Sequence, residues 1–202
     1  MRSQHELHLM VRDILGEHYL TLDIPGYVLT EDLTETAAEI QCRLVVTNGT
    51  NEVTSVTGKG VGMVDALFDG LTSALSADYP SLETIHFVDF RVRGDFAEGT
   101  GDAKSDAPGR FELKVENAFG RRFQFENTNV SLSAGAVRVV IEAVQHFVNS
   151  ERAVLTVFDW IDDAKRRHRP DLADTYVQRL AELMVNASYS RTIERRKALA
   201  EA

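Results

Sequence analysis

The sequence predicts an α+β protein in which two βββα repeats pack together, with a helix before them and a helical extension after them. Two observations predict this fold. Shifting the chain by 69 positions aligns two hairpin-like stretches of alternating polar and apolar residues, and each stretch is followed by helical apolar spacing. A 44% hydrophobic content over 202 residues suits one domain with a sizeable core.

Residues 1–22 are predicted to form an N-terminal helix. Ser3 and Glu6 fit the S-x-x-E capping-box pattern, and the helix is expected to stop at Gly16. The apolar stripe between these signals consists of Leu7, Met10, Val11 and Ile14.

The first repeat is assigned to residues 23–78. A candidate strand at residues 26–30 precedes a hairpin that turns at Asn48 and Gly49. The apolar positions that alternate in its first strand are Ile40, Cys42, Leu44 and Val46, and those at helical spacing behind it are Val64, Phe68, Leu71 and Leu75.

The second repeat is assigned to residues 82–150, within a two-repeat region of residues 23–150. It begins with a candidate strand at residues 84–93, and an acidic, glycine-bearing loop at residues 95–109 is expected to be mobile. The hairpin strands carry Phe111, Leu113, Val115, Phe123 and Phe125, and the helix behind them carries Val137, Val140, Ile141 and Val144.

Residues 151–202 are predicted to form a helical C-terminal extension. Their first apolar stripe has helical spacing, although residues 153–158 are sufficiently β-branched to form a strand instead. Pro170 is expected to begin a second helix. The two stripes are Val154, Val157, Phe158 and Ile161, and Leu172, Tyr176, Leu180 and Leu183.

Composition limits the partners. A net charge of −9 argues against non-specific binding to nucleic acid, and the apolar runs are shorter than a membrane span requires. The polar N-terminus does not resemble a signal peptide, so a cytoplasmic protein is expected.

Cys42, the single cysteine, is interpreted as a buried structural thiol. Because three strands and one helix leave a sheet face uncovered, a homodimer is expected.

The sequence predicts no catalytic residues, no metal site and no cofactor. None of the six histidines lies beside a nucleophile or in an H-E-x-x-H arrangement, and no acid/base pair is identifiable from spacing. The basic run at residues 165–169 could contact nucleic acid or an acidic partner protein, but such charge is also common at helix ends.

The stretch VTGKGVGMVDALFDG carries three alternate glycines, Gly58, Gly60 and Gly62, before a predicted helix. It matches neither the P-loop pattern nor the dinucleotide-binding fingerprint. The repeat shift aligns its glycines with Asn127, Asn129 and Ser131, residues that suit tight turns and helix caps. Both segments are therefore interpreted as turns into helices, and two such helix N-termini could also offer backbone N–H groups to a carboxylate.

The segment from Gly58 to Ala66 resembles the G-x-G-P-V-D-A segment in the C-terminal regulatory domain of 2-isopropylmalate synthase and the related citramalate synthases. That family also uses the βββα unit twice, and its second helix begins with a serine- and alanine-rich segment similar to residues 129–134. The resemblance covers about residues 23–150. The catalytic barrel of the family is not found, so the chain is not expected to be an enzyme.

The resemblance implies a dimeric domain that binds leucine or isoleucine as a feedback inhibitor. The ligand carboxylate would lie at the N–H groups near Gly60, the ammonium would lie near Asp65, and Ser131 and Ser133 would add polar contacts. The expected function is a stand-alone regulator of a partner synthase; the alternatives are a structural dimerisation protein and an enzyme acting on a small carboxylate. The candidate ligand-binding residues are Gly58, Gly60, Val61, Gly62, Met63, Asp65, Ala66, Asn129, Ser131, Ser133 and Ala134.

Overall fold

A computed structural model of the chain describes residues 3–48, 51–94, 108–184 and 193–194. Within these ranges the protein has four α-helices and two antiparallel sheets, which confirms the predicted α+β class. None of the helices in the described ranges is both long enough and apolar enough to cross a bilayer.

The N-terminal helix α1 (Gln4–Leu15) begins and ends as predicted. Ser3 Oγ accepts the Glu6 N–H at 3.2 Å, Glu6 Oε2 accepts the Ser3 N–H at 2.7 Å, and Gly16 ends the helix at a positive φ of 51°. The segment also contains a strand that was not predicted, β1 (Thr21–Asp23). Buried Asn149 holds the chain just before β1 through hydrogen bonds to both backbone groups of Leu20.

The first repeat contains the predicted three strands and one helix. The strand between the other two, β3 (Ala37–Thr47), pairs with β4 (Asn51–Gly60) along one side. Its other side pairs with β1 near one end and with β2 (Tyr27–Asp32) near the other. Helix α2 (Met63–Leu75) follows β4 directly. Gly49 of the predicted turn lies outside the described residues.

The second repeat has the same order of elements. Strands β5 (His86–Gly94), β6 (Gly109–Glu116) and β7 (Arg122–Asn129) form a separate sheet in chain order, and helix α3 (Leu132–Arg166) follows. A 3₁₀ turn, Pro80–Thr84, leads into it. Most of the predicted mobile loop, residues 95–107, lies outside the described residues.

The helix starts confirm the repeat shift, because α2 begins at Met63 and α3 begins at Leu132. The hairpins differ in the length of their turns. Three residues separate the last pair of the first hairpin, Thr47 and Asn51, whereas five separate the last pair of the second, Glu116 and Arg122. The strand pairing is therefore offset by two residues between otherwise equivalent units.

Helix α3 does not end with the second repeat. It continues across residue 150, where the C-terminal extension was expected to begin, and residues 153–158 are helical rather than extended. Val154, Val157 and Ile161 are buried along this continuation, so packing overrides the weak helix propensity of β-branched residues. Helix α4 (Pro170–Leu183) begins at the predicted proline and packs back on α3.

Helix α2 covers one face of the first sheet, and helix α3 covers one face of the second. The alternate side chains of β3 and β6 that point toward the helices are buried, and Cys42 among them is a free thiol whose pKa is raised by burial. The largest side chains that are fully buried are Phe111, Phe123, Phe147, Leu7, Ile40, Leu44, Leu67, Leu71, Leu82, Leu113 and Leu183.

Candidate functional site

The first two glycines of the predicted loop lie in strand β4 and face helix α2. A Cβ atom on Gly58 would lie 2.0 Å from the carbonyl oxygen of Ala66 and 2.6 Å from the amide nitrogen of Gly70. A Cβ atom on Gly60 would lie 2.5 Å from the amide nitrogen of Ala66. Glycine is thus required at both positions because the strand and helix backbones touch there.

The aspartates of α2 hold the end of β4 in place. Asp65 Oδ2 accepts the Val61 N–H at 3.1 Å, and Asp69 Oδ2 accepts the Lys59 N–H at 3.3 Å. Asp65, predicted to bind a ligand ammonium, therefore already has a structural partner. A carboxylate has about four acceptor positions, so one such hydrogen bond does not prevent another.

Gly62 is the N-cap of α2, and its surroundings differ from those of Gly58. A Cβ atom there would meet nothing within 4 Å, and its φ of −174° is ordinary extended backbone. No side chain of the described residues caps this helix. Val61 beside it is 75% exposed and Met63 is half-buried, so the N-terminus of α2 is accessible and has an apolar border.

The second predicted segment forms a capped helix start, which confirms the capping role expected of Ser131. Ser131 Oγ accepts the Ala134 N–H at 3.2 Å, and Asn129 Oδ1 accepts the Ser131 N–H at 2.9 Å. The hydroxyl of Ser133 lies 3.2 Å from that of Ser131. Both serines are exposed.

The two segments carry matching apolar side chains. Val130 and Leu132 of the second segment are 68% and 70% exposed, and they occupy the repeat positions of Val61 and Met63. The described hydrogen bonds of each segment stay within its own repeat. That the two segments meet around one ligand stays a prediction.

A cleft between α1, β7 and α3 was missed from the sequence. Its volume is about 790 Å³, and its lining includes His8, Arg12 and Tyr19 from the N-terminal segment together with Glu142 and His146 from α3. These residues come from distant parts of the chain. No local spacing could have indicated that they share a cavity.

His146 forms a buried part of the cleft lining. It is only 6% exposed, and its ring packs against the rings of Phe123, Phe125 and Phe147 at centroid distances of 5.2–5.6 Å. Burial lowers the pKa of His146 to about 3, and the nearby positive groups His8 and Arg121 act in the same direction. Its ring is therefore neutral at pH 7, and its Nε2 has no hydrogen-bond partner among the described residues.

Arg12 and Glu142, both exposed, also line the cleft. Arg12 Nε donates to His8 Nε2 at 3.1 Å, and the Arg12 guanidinium lies 4.5 Å from the centre of the Tyr19 ring. Burial, followed by the charge of Arg12, lowers the pKa of His8. Across the cleft, Glu142 Oε1 accepts from Asn127 Nδ2 at 3.2 Å, and burial raises the pKa of Glu142.

Comparison with known proteins identifies no family for this chain. No protein-family model matches it, and no curated protein matches it. In the part of the chain that the structure describes, no group of three or more His, Cys, Asp or Glu side chains is arranged to hold a metal ion. The function must therefore be argued from the repeats and from the geometry of these two regions.

Proposed function

We propose that this protein is a cytoplasmic regulatory module that dimerises and binds a branched-chain amino acid or a similar small carboxylate. Its proposed partner is a synthase of leucine or isoleucine biosynthesis, and its proposed ligand site is the start of helix α2. The observation that carries this proposal is the uncapped, accessible N-terminus of α2, described above for Gly62 and its neighbours.

The chemistry of this N-terminus suits an amino acid. The first N–H groups of a helix have no acceptor within the helix, and the helix dipole favours a negative group beside them. Val61 and Met63 border this position and offer apolar contact to a branched side chain. Asp65 is half-buried in the first turn of α2, only three residues from Gly62, and would receive the ligand ammonium.

The sheets support dimerisation through the faces that the helices leave uncovered. On the face of β3 that points away from α2, Gln41 and Arg43 are exposed, and Val28 on the adjacent strand is 65% exposed. A second copy would cover such a face. Regulation would then require that the ligand bind one arrangement of the repeats or subunits more tightly than another.

A structural dimerisation protein without a ligand is the second candidate. The close contact of Gly58 with Gly70 favours it, because this contact explains part of the glycine pattern by packing alone. It does not explain Gly62, which has open space around it.

Thermal-shift and calorimetric titrations with leucine, isoleucine, valine and their 2-oxo acids test the proposal. A ligand present at 100 times its Kd should stabilise the protein by about 2.7 kcal/mol. Val61→Asp should abolish the response, because it adds a negative charge where the ligand carboxylate is proposed to lie. Val53→Asp is the matched control, since Val53 lies on β4 away from the start of α2 and is 61% exposed.

Absence of any response at millimolar concentrations would exclude the sensor and leave the structural candidate. A response that Val61→Asp and Val53→Asp reduce equally would place the site elsewhere. Gly60 is unsuitable for this test, because any side chain there meets the backbone of α2. Sedimentation of the protein at micromolar concentration tests dimerisation independently, and a monomer would contradict that part of the proposal.

A further inference from the structure

The cleft between α1, β7 and α3 has a fixed framework. The side chain of Gln4 joins α1 to the backbone of β7 through two hydrogen bonds. Its Nε2 donates to the Gln124 carbonyl at 2.9 Å, and its Oε1 accepts the Gln124 N–H at 3.1 Å. On the other side, Gln145 of α3 accepts the Leu22 N–H at 2.8 Å. The walls of the cleft are therefore held by side-chain to backbone contacts, and the cavity does not depend on a loose surface loop.

The charges that line the cleft differ in how far they are already paired. Glu126 forms an ion pair with Arg110 and accepts from Gln124 Nε2 at 2.6 Å. In contrast, neither Arg12 nor Glu142 belongs to an ion pair among the described residues. The hydrogen bond of Arg12 to His8 uses Nε and leaves both Nη groups out of that contact. Besides the paired Glu126, the cleft thus presents one cationic fork and one carboxylate that form no ion pair among the described residues, and they lie on separate helices.

A second, independent observation comes from His146. Its Nε2 is buried without a partner in the described part of the chain, and the residue lines the cleft. A buried polar atom without a hydrogen bond is unfavourable, and most such atoms in proteins have a partner. A ligand polar group at the base of the cleft would supply the missing partner.

We propose that this cleft is a second ligand site, distinct from the start of α2, and that it binds a small zwitterion. The Arg12 guanidinium pairs with the ligand carboxylate, the Glu142 carboxylate pairs with the ligand ammonium, and Tyr19 and Phe125 contact its apolar atoms. An arginine fork matches a carboxylate in geometry as well as in charge. This inference stands on its own residues and does not depend on the proposed function.

The test uses the full chain and a panel of small ligands. Each ligand side chain in the panel is presented in three forms: the L-amino acid, the 2-oxo acid and the primary amine. The amino acid should bind at least tenfold more tightly than the other two, because only it carries both charges. Arg12→Ala should weaken amino-acid binding at least tenfold. Glu142→Gln should weaken it similarly while leaving the weak binding of the 2-oxo acid unchanged.

Matched controls keep the result interpretable. Arg179→Ala and Glu31→Gln remove like charges outside the cleft and should leave the Kd unchanged. If Arg12→Ala does not fold, Arg12→Gln keeps the length of the side chain and replaces its charge. The ring C–H signals of His146, assigned by comparison with His146→Phe, should shift in NMR spectra when the amino acid binds.

Three results would overturn the inference: no probe binding at millimolar concentration, equal binding by the three probes of each set, or a Kd that neither Arg12→Ala nor Glu142→Gln changes. Val61→Asp separates this site from the start of α2. If Val61→Asp alone abolishes binding, the second site is wrong and the proposed function stands. If only the cleft variants abolish it, the second site stands and the ligand site proposed at α2 is wrong. If calorimetry shows two bound equivalents of amino acid and Val61→Asp and Arg12→Ala each remove one, both sites stand.

Discussion

The two βββα units solve the same packing problem in different ways. In the first unit, β4 and α2 touch through their backbones, with Gly58 against Gly70. In the second unit, the ring of Phe111 on β6 lies against Gly135 of α3, where an added Cβ would be 2.1 Å from the ring. The position of Phe111 corresponds to Cys42 in the first unit.

This comparison shows where each unit needs a glycine so that its sheet and its helix can pack closely. In the first unit the corresponding residue, Cys42, is small, and the space between sheet and helix is closed where the backbones of β4 and α2 meet. A large ring at Phe111 occupies that space, and the helix then makes room for the ring with Gly135. Close packing is maintained in both units, but the residue that must be glycine has moved from strand to helix.

The largest expected effect is that of Gly58→Ala. Its Cβ would overlap backbone atoms of α2, which cannot move without displacing the helix, so the free energy of unfolding should fall by about 3 kcal/mol. Gly135→Ala should cost less, about 2 kcal/mol, because its Cβ meets the buried ring of Phe111 rather than backbone and because alanine improves helix propensity. Chemical denaturation of both variants measures the difference.

Gly62→Ala is the control for this pair, since open space surrounds Gly62 and its φ is permitted for any residue. Its cost should stay within about 1 kcal/mol, the usual range for loss of a glycine N-cap. A Gly58→Ala variant as stable as Gly135→Ala would show that α2 can shift away from β4, and the distinction between the two units would then fail.

The next largest expected effect is a pH dependence of stability, and it comes from His146 in the second unit. In the folded state the pKa of His146 is about 3, whereas the ordinary value in an unfolded chain is 6.5. The unfolded state therefore binds more protons between these values, and stability is lost as the pH falls through that range. From pH 7 to pH 5 the loss attributable to His146 should be about 2 kcal/mol.

Urea denaturation at several pH values measures this slope. His146→Phe, which keeps a ring among the aromatic neighbours, should remove most of it, and His18→Gln, at an exposed histidine, should not. The comparison rests on the slopes, so it does not require His146→Phe to keep the stability of the original protein. An unchanged slope in His146→Phe would contradict the assignment to this residue.

The sequence predicted those features that depend on neighbouring residues. The 69-residue shift located both helix starts, because caps and helical spacing are local signals carried by residues such as Ser131. A helix after residue 150 was predicted, but not that it is the unbroken continuation of α3; residues 153–158 also allowed a strand, and buried packing decides between the two. The short strand β1 was also missed, because only its pairing with β3 defines it.

The candidate sites were predicted only in part. The capping contact of Ser131 follows from its residue type, whereas the need for glycine at Gly58 depends on Ala66 and Gly70 of the facing helix. The cleft depends on contacts such as that between Gln4 and Gln124, 120 residues apart. Such contacts exist only in the folded chain, and a single sequence carries no pattern for them.

The smallest expected effect compares the two helix starts directly. Ser131→Ala removes the hydroxyl that accepts the Ala134 N–H, so the free energy of unfolding should fall by about 1 kcal/mol. At the equivalent position, Gly62→Ser supplies a hydroxyl where the described residues provide no side-chain cap, and it should stabilise the protein by a few tenths of a kcal/mol. Thermal denaturation of the two variants and the parent measures both signs. If Gly62→Ser also weakens binding of the amino acid that stabilises the parent, its hydroxyl competes with the ligand carboxylate for the first N–H groups of α2. If binding is unchanged while stability rises, the uncapped start of α2 is a structural feature of the first repeat and the proposed ligand lies elsewhere.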